Sequence, residues 1–380
     1  MRKTIVFAAI AAMALPAIGS RRVTIEEMRT ILAAQQASGK SDQDEARQIG
    51  DLELTEKLSP PMLAGLDAEF RPGPKTVLAL TLLSDLSAFL DPPENQTVPD
   101  SAPDTGTQRA MIRMAMEYVA STLQRLPNFL ATRATRSFDD NPAVSIESPL
   151  PPLRTSLRLE GRFSQEITYR DGHEALNNAS LPGGAKRGRA SDPPGLTSWG
   201  EFGPVLAVVL ADSARGKLAW SRWERTDGGV AAVFRYEVPD RVSHYKVNYC
   251  CVRSLGGPDL NHPWIEQSRT ANSYDGTPGY HGTLSLDPAT GAILRVTLQS
   301  DLKDSDPIVR NDIEVQYGPV EIGGKSYICP IRSVAVSAAL VGSETSSRKR
   351  MVMRVNDVTF IDYHRFGSTV RILPSVEEQQ

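Results

Sequence analysis

Apolar residues follow two different periods in the two parts of the sequence. From Thr24 to about residue 126 they recur every three or four positions, which predicts amphipathic helices. Thr24-x-x-Glu27 and Thr105-x-x-Gln108 each have the spacing of a capping box, in which two side chains satisfy free backbone amides at a helix start. We therefore predict helices beginning at these two sites and at residues 43–57, 60–69 and 74–90, with a linker at 95–106.

After Pro127 apolar and polar residues alternate, which is the period of a β-strand with one buried face. The clearest case is Tyr280 to Leu302, where two alternating runs flank the turn sequence DPATG. Pro288 presets φ for such a turn and Gly291 tolerates a left-handed backbone, so this segment predicts a β-hairpin. Similar runs predict further antiparallel strands at residues 154–170, 218–225, 230–238, 245–252, 313–320, 327–338 and 350–360.

One apolar segment, Trp199 to Lys217, does not fit the strand pattern. Between Pro204, suited to a first helical turn, and Gly216, suited to a C-cap, it carries five large apolar residues: Val205, Leu206, Val208, Val209 and Leu210. A helix that is apolar nearly all round is buried, and the dry face of the sheet is the nearest apolar surface. We therefore predict an α+β fold. An N-terminal helical region is followed by a curved antiparallel β-sheet, a half-barrel, with this plug helix in its concave face.

The N-terminus has the features of a secretory signal peptide. Arg2 and Lys3 precede the apolar run Ile5–Leu15, and Ala17-Ile18-Gly19 is a small-x-small cleavage pattern. No apolar run is long enough to span a bilayer comfortably, so we expect an exported protein, periplasmic or extracellular, without a transmembrane anchor. The predicted organisation is a signal peptide at 1–19, a helical region and linker at 20–104, and a half-barrel domain with its leading helix at 105–375.

Composition and motifs change this picture mainly by exclusion. Lys and Arg together number 42 against 45 Asp and Glu, a formal charge of −3, which lacks the basic excess typical of nucleic-acid binding. The five histidines are scattered singly, and the sequence has no motif typical of nucleophilic catalysis, metal binding or phosphate binding. We predict no catalytic residue, no metal and no cofactor.

The three cysteines are Cys250, Cys251 and Cys329. Strand alternation places Cys251 on the apolar face with Tyr249, and Cys250 on the polar face. Because disulfides persist in exported proteins, we hypothesise a bridge from Cys329 to one of the adjacent pair, with Cys251 as the candidate partner and one thiol left over.

Six segments carry a resemblance over nearly the whole mature chain. They are LELTEKLS, LSDLSAFLDPP, YVASTLQRLPNFLATRATRSFDD, SWGEFGPVLAVVLADSARGKLAWSRWE, YGPVEIGGKSYICP and NDVTFIDYH. They resemble an uncharacterised family of exported bacterial proteins. This resemblance implies export, and the family has no assigned activity to carry over. More distantly, the predicted architecture resembles the periplasmic lipoprotein-carrier and envelope-stress-sensor half-barrels. This second resemblance implies that acyl chains or a partner peptide occupy the concave face, although fold alone does not fix function.

The leading hypothesis is a non-catalytic binding module of the cell envelope. It would hold an apolar ligand, such as an acyl chain or a lipoprotein, or an envelope partner, between the sheet and the plug helix. The predicted contacts come from the plug helix, the hairpin and a long loop: Val205, Leu206, Val209, Leu284, Leu286, Leu294, Val296 and Trp264. The alternative is a structural or interaction protein whose concavity is filled by its own core. The third hypothesis is an enzyme of unrecognised type, which a concave cluster among these residues would favour: His262, Glu266, Asp275, His281 and Asp301.

Overall fold

The structure, a computed structural model, describes residues 21–140, 157–177, 202, 204–252, 272–341 and 350–365. The predicted signal peptide and Trp264 lie outside these residues. The α-helices of the described chain are α1 Ile25–Ala37, α2 Asp42–Gly50, α3 Pro60–Phe70, α4 Pro74–Ser87, α5 Thr105–Arg125 and α6 Pro204–Ser213. Its strands are β1 Arg21–Val23, β2 Leu52–Leu54, β3 Thr97–Val98, β4 Phe129–Asp139, β5 Arg158–Arg170, β6 His173–Asn177, β7 Lys217–Thr226, β8 Gly229–Val238, β9 Val247–Val252, β10 Asn272–Gly276, β11 Gly279–Leu286, β12 Ile293–Asp301, β13 Ile308–Ile322, β14 Lys325–Val341 and β15 Arg350–Arg365.

One large sheet dominates the fold. Its eleven strands lie in the order β3-β7-β8-β11-β12-β13-β14-β15-β4-β5-β6, and every neighbouring pair is antiparallel. The sheet is curved and does not close into a barrel. The predicted α+β class with a curved antiparallel sheet is therefore confirmed.

Local turn chemistry explains the hairpins. The predicted DPATG hairpin forms between β11 and β12, with Gly291 at φ +75°. Gly323 and Gly324 both have positive φ and join β13 to β14, as expected for residues without a Cβ in a tight turn. The capping box of Thr24 and Glu27 is also present, because each side chain accepts the other residue's backbone N–H.

Three local predictions are wrong. The leading helix of the predicted half-barrel domain, α5, is capped by Asp104 and not by a Thr105 box, since the Asp104 carboxylate accepts the N–H groups of Gly106 and Thr107. The helix predicted at 43–57 ends at Gly50, and β2 follows it and pairs in parallel with β1. The strand β9 is not part of the large sheet; it pairs with β10 in a separate two-stranded ribbon.

The concave face of the sheet, called the inner face here, carries α5 and α6. Leu206, Val209 and Leu210 of α6 are buried in one apolar cluster with residues of α5, the β9–β10 ribbon and the sheet. A buried carboxylate fixes the end of α6: Asp212 accepts hydrogen bonds from the backbone N–H of His244 at 2.8 Å and from the Tyr280 hydroxyl at 3.0 Å. The predicted plug helix is therefore part of the core.

The opposite side of the sheet, the outer face, carries the N-terminal helices. Helix α4 is apolar on two sides: one side packs with α1 to α3 in a core that includes Leu80 and Leu83. Its other side places Leu78, Leu82 and Leu86 against buried valines of β14 and β15. Periodicity predicts one wet face for the sheet, but this part of the outer face is covered by helices.

The thiol of Cys329 on β14 is free and buried, so the structure does not contain the hypothesised bridge to Cys251. Cys329 lies in an apolar cluster with Phe129, Tyr169 and Phe202, and burial raises the pKa of its thiol to about 12. Because the thiolate is the reactive species, this residue is expected to be inert in the folded protein.

We expect Cys329 in the native protein to resist iodoacetamide at pH 8 and to be alkylated fully after unfolding. Peptide mass spectrometry with a different isotopic label before and after unfolding measures both populations. Rapid native labelling, or recovery of Cys329 in a disulfide-linked peptide, would contradict the buried free thiol.

Gly282 allows two strands and an aromatic side chain to approach closely. A Cβ at this position would lie 1.8 Å from the carbonyl oxygen of Thr297 and 2.9 Å from the hydroxyl of Tyr236, which itself donates to Thr297 at 2.6 Å. We expect Gly282→Ala to lower the free energy of unfolding by about 1–3 kcal/mol, the cost of overpacking.

Gly228→Ala is the matched control, because nothing lies within 4 Å of its added Cβ. It should change stability by no more than about 0.5 kcal/mol. Urea unfolding followed by circular dichroism compares the two variants at equal m-value. Equal midpoints for both would refute the close approach at Gly282.

Candidate functional site

On the inner face, packing among the described residues fills the space around the side chains that were predicted to hold an apolar ligand. Six of the eight lie in or against the inner core: Val205, Leu206, Val209, Leu284, Leu286 and Val296. A void of about 20 Å³ remains inside this core, lined by Tyr118 and Val119 of α5 and by Leu206 of α6. That volume is close to the space one water molecule needs and is far below that of an acyl chain.

Leu294 does not belong to the inner face, because a β-bulge changes the alternation of β12. Ser285 pairs with Arg295, whereas Leu286 pairs with Ile293, so one extra residue is accommodated between them. Ile293 takes the buried inner position, and Leu294 is half-buried in the wall of a different cavity. Strict alternation of inner and outer residues therefore does not hold through residues 292–298 of this strand.

That cavity, called the cleft here, lies between the N-terminal helices and the outer face of the sheet. Its volume is about 520 Å³, within the range of about 300–1,000 Å³ typical of small-molecule sites. Its walls are largely apolar, with Leu58, Pro60 and Pro61 on the helical side and Leu294 and Ile331 on the sheet side.

The floor of the cleft is polar and comes from adjacent strands. Ser285 on β11 pairs with Arg295 on β12, and Glu314 lies on the neighbouring strand β13. Strand alternation places these side chains on the outer face together. Lys57, in the segment before α3, reaches this floor from the helical side.

Glu224 on β7 is the centre of the charged contacts. It accepts hydrogen bonds from the ammonium of Lys57 and from Arg222 Nη2, the latter at 3.0 Å. Arg295 approaches the same carboxylate at 3.4 Å and Glu314 at 3.5 Å. All five of these charged side chains are largely buried.

Burial and neighbouring charges lower two pKa values here. Burial and the positive charge of Arg295 lower the pKa of Lys57 to about 8, although Glu224 opposes this. Burial favours protonation of Glu224, but the charges of Arg295 and Lys57 outweigh it and lower its pKa to about 2. At neutral pH the floor therefore holds a carboxylate and an ammonium that gives up its proton readily.

A separate set of ion pairs connects α4 to the sheet. Arg332 of β14, which lines the cleft, donates to Asp85 of α4 and to Asp357 of β15, the latter at 3.1 Å. Arg136 of β4 also donates to Asp357. Burial and the nearby Asp357 raise the pKa of Asp85, while Arg332 opposes the shift.

The described residues among those considered for an enzyme, Asp275, His281 and Asp301, do not form a buried cluster. His281 Nδ1 lies 2.7 Å from Asp301 Oδ1, but both side chains are exposed. Asp275 pairs with Lys246 at the surface, and His262 and Glu266 lie outside the described residues. The described part of the chain contains no group of three or more residues suited to a metal ion.

Sequence reasoning missed the cleft for an identifiable reason. Serine, arginine and glutamate at outer-face positions are typical of a solvated surface. Lys57 is a single lysine in a short loop, which predicts no site. The available signal was the pair of acidic residues Asp312 and Glu314 in the outer alternation of β13, together with the two apolar sides of α4.

No protein-family model, curated protein or solved structure matches this chain. In the described residues, no helix combines the length and the apolar character required for a membrane span. The geometry of the cleft is therefore the basis for the function proposed below.

We expect the ammonium of Lys57 to titrate with a midpoint near pH 8, against the ordinary lysine value of 10.5. Isotope-labelled lysine followed by heteronuclear NMR measures the midpoint, and Lys57→Arg assigns the resonance by removing it. Glu224→Gln should move the midpoint lower, because it removes a negative charge that stabilises the ammonium. A midpoint near 10.5 would show that the amine is exposed to water.

Proposed function

We propose that this protein is a non-catalytic binding module that holds an amphipathic small molecule in the cleft. The observation that carries the proposal is a 520 Å³ cavity with apolar walls and a polar floor. Concave sites with mostly apolar linings and a few convergent polar groups are the usual form of small-molecule sites.

The location of the ligand differs from the leading sequence hypothesis. The inner face offers a void of about 20 Å³ beside α5, so the proposed site lies on the opposite face, under the N-terminal helices. The class of function is unchanged: a molecule with an apolar body is bound without chemistry. Export to the cell envelope, expected from the N-terminal sequence, remains part of this proposal.

An interaction protein without a small ligand is the second candidate. The filled inner core supports it, as do two exposed apolar side chains at the cleft wall, Val230 and Ile331. Exposed apolar residues that lie together often mark a site of contact with another molecule. In this case the cleft would be a feature of packing and would bind no small molecule.

Binding of the neutral fluorescent probe N-phenylnaphthylamine tests the proposal. We expect the full mature protein to bind this probe, with a rise in fluorescence as it leaves water. Val230→Trp places a large side chain at the cleft and should weaken the affinity at least about tenfold, since a ring would occupy volume that the ligand needs.

Val309→Trp is the matched control. Val309 is 40% exposed, close to the 42% of Val230, and lies on β13 away from the cleft lining. It should leave probe affinity within about twofold of the parent protein. Absence of probe binding, or equal effects of both tryptophans, would favour the interaction protein. Extraction of protein from the periplasm, followed by mass spectrometry of small molecules, then identifies the natural occupant.

A further inference from the structure

The floor of the cleft carries donor groups that their protein neighbours use only in part. The Ser285 side chain is buried, at 3% exposure, and among the described residues its hydroxyl has no hydrogen-bond partner. A buried polar group without a partner is destabilising and is rare in folded proteins. Its position in the cleft lining indicates that its partner comes from a molecule in the cleft.

Arg295 and Lys57 also retain unused hydrogen-bonding capacity. The contacts of Arg295 with Glu224 and Glu314 measure 3.4–3.5 Å, longer than the usual range of about 2.7–3.2 Å. The ammonium of Lys57 has three N–H donors, and in the described chain Glu224 is its hydrogen-bond acceptor. Both groups can donate to a further acceptor in the cleft.

The charged side chains of the floor pair with one another. Lys57 and Arg295 contact Glu224 and Glu314, so two cations face two carboxylates. Arg222, which also contacts Glu224, has a further partner in Asp91 at 2.9 Å. A bound anion would therefore be held by the remaining hydrogen-bond donors of Lys57 and Arg295 and not by an unpaired charge.

Charges nearer the mouth of the cleft do not change this balance. Arg225 and Asp227 are exposed and of opposite sign, and exposed charges are screened by water and salt. The Asp287 carboxylate is used in the hairpin turn, where it accepts from the Ala289 N–H at 2.9 Å and the Thr290 hydroxyl at 2.6 Å. The hydrogen-bond donors of the deep floor are therefore the part of the cleft that recognises the polar end of a ligand.

We propose, on the basis of the proposed function, that the bound molecule carries one carboxylate at its polar end, and that Arg295, Lys57 and Ser285 donate hydrogen bonds to it. The apolar body then lies along the walls formed by Leu294 and Ile331. Charge-assisted hydrogen bonds of this kind are shorter and stronger than neutral ones, so the carboxylate discriminates between ligands that share an apolar body.

Three molecules with the same chain and different polar ends test this inference: decanoate, decanol and decylammonium. Each displaces N-phenylnaphthylamine from the full mature protein at pH 7, and the displacement curve gives its affinity. We expect decanoate to bind at least about tenfold more tightly than decanol. The reason is that only the anion forms charge-assisted hydrogen bonds with Lys57 and Arg295. Decylammonium should bind more weakly than both.

Ser285→Ala and Ser137→Ala form a matched pair of variants. Each removes a buried hydroxyl without a partner among the described residues, but Ser137 lies on β4 away from the cleft. Ser285→Ala should weaken the binding of decanoate about three- to tenfold, the worth of one hydrogen bond, and leave the affinity for decanol unchanged. Ser137→Ala should change neither affinity.

The outcomes separate this inference from the proposed function. Equal affinities of decanoate and decanol, tighter binding of decylammonium, or an unaltered decanoate affinity in Ser285→Ala would overturn the carboxylate site. The binding module would still stand in each of those cases. If none of the three molecules displaces the probe, or the probe does not bind, the proposed function itself fails.

Discussion

Buried ion pairs between the N-terminal helices and the outer face of the sheet hold the two layers at a fixed spacing. Lys57 contacts Glu224, and Asp85 contacts Arg332; Lys57, Glu224 and Arg332 also line the cleft. Charges lose their hydration when helices cover them, so each must keep its partner; removal of one member of a buried pair costs about 3–5 kcal/mol. The cleft is the space that remains between these contacts, and its size depends on them.

Helices cover both faces of the sheet by different means. The inner face packs against α5 and α6 mainly through apolar contacts, and close packing leaves little space there. The outer face packs against α4 through apolar contacts and, beside them, through polar and charged contacts. Charged side chains need specific partners and cannot repack as freely as Leu or Val, so a cavity persists on this face.

The fold class was predictable because its signals are local. Alternation and turn residues determine a hairpin such as β11–β12, and the apolar circumference of α6 determines that it is buried. The site was not predictable, because alternation assigns a residue to a face without identifying what covers that face. Lys57 and Glu224 are separated by 167 positions. The bulge that redirects Leu294 has no glycine to mark it.

The short strand β3 lies in the segment before α5 and covers one edge of the large sheet. Thr97 and Val98 pair with Glu224 and Trp223 of β7, and the Trp223 indole donates to the carbonyl of Ser101 at 3.3 Å. A bare edge strand is a template for pairing with other chains, and here the polypeptide shields its own border. Shortening the protein to begin at α5 would expose that border and promote edge-to-edge association, so the N-terminal region also guards against aggregation.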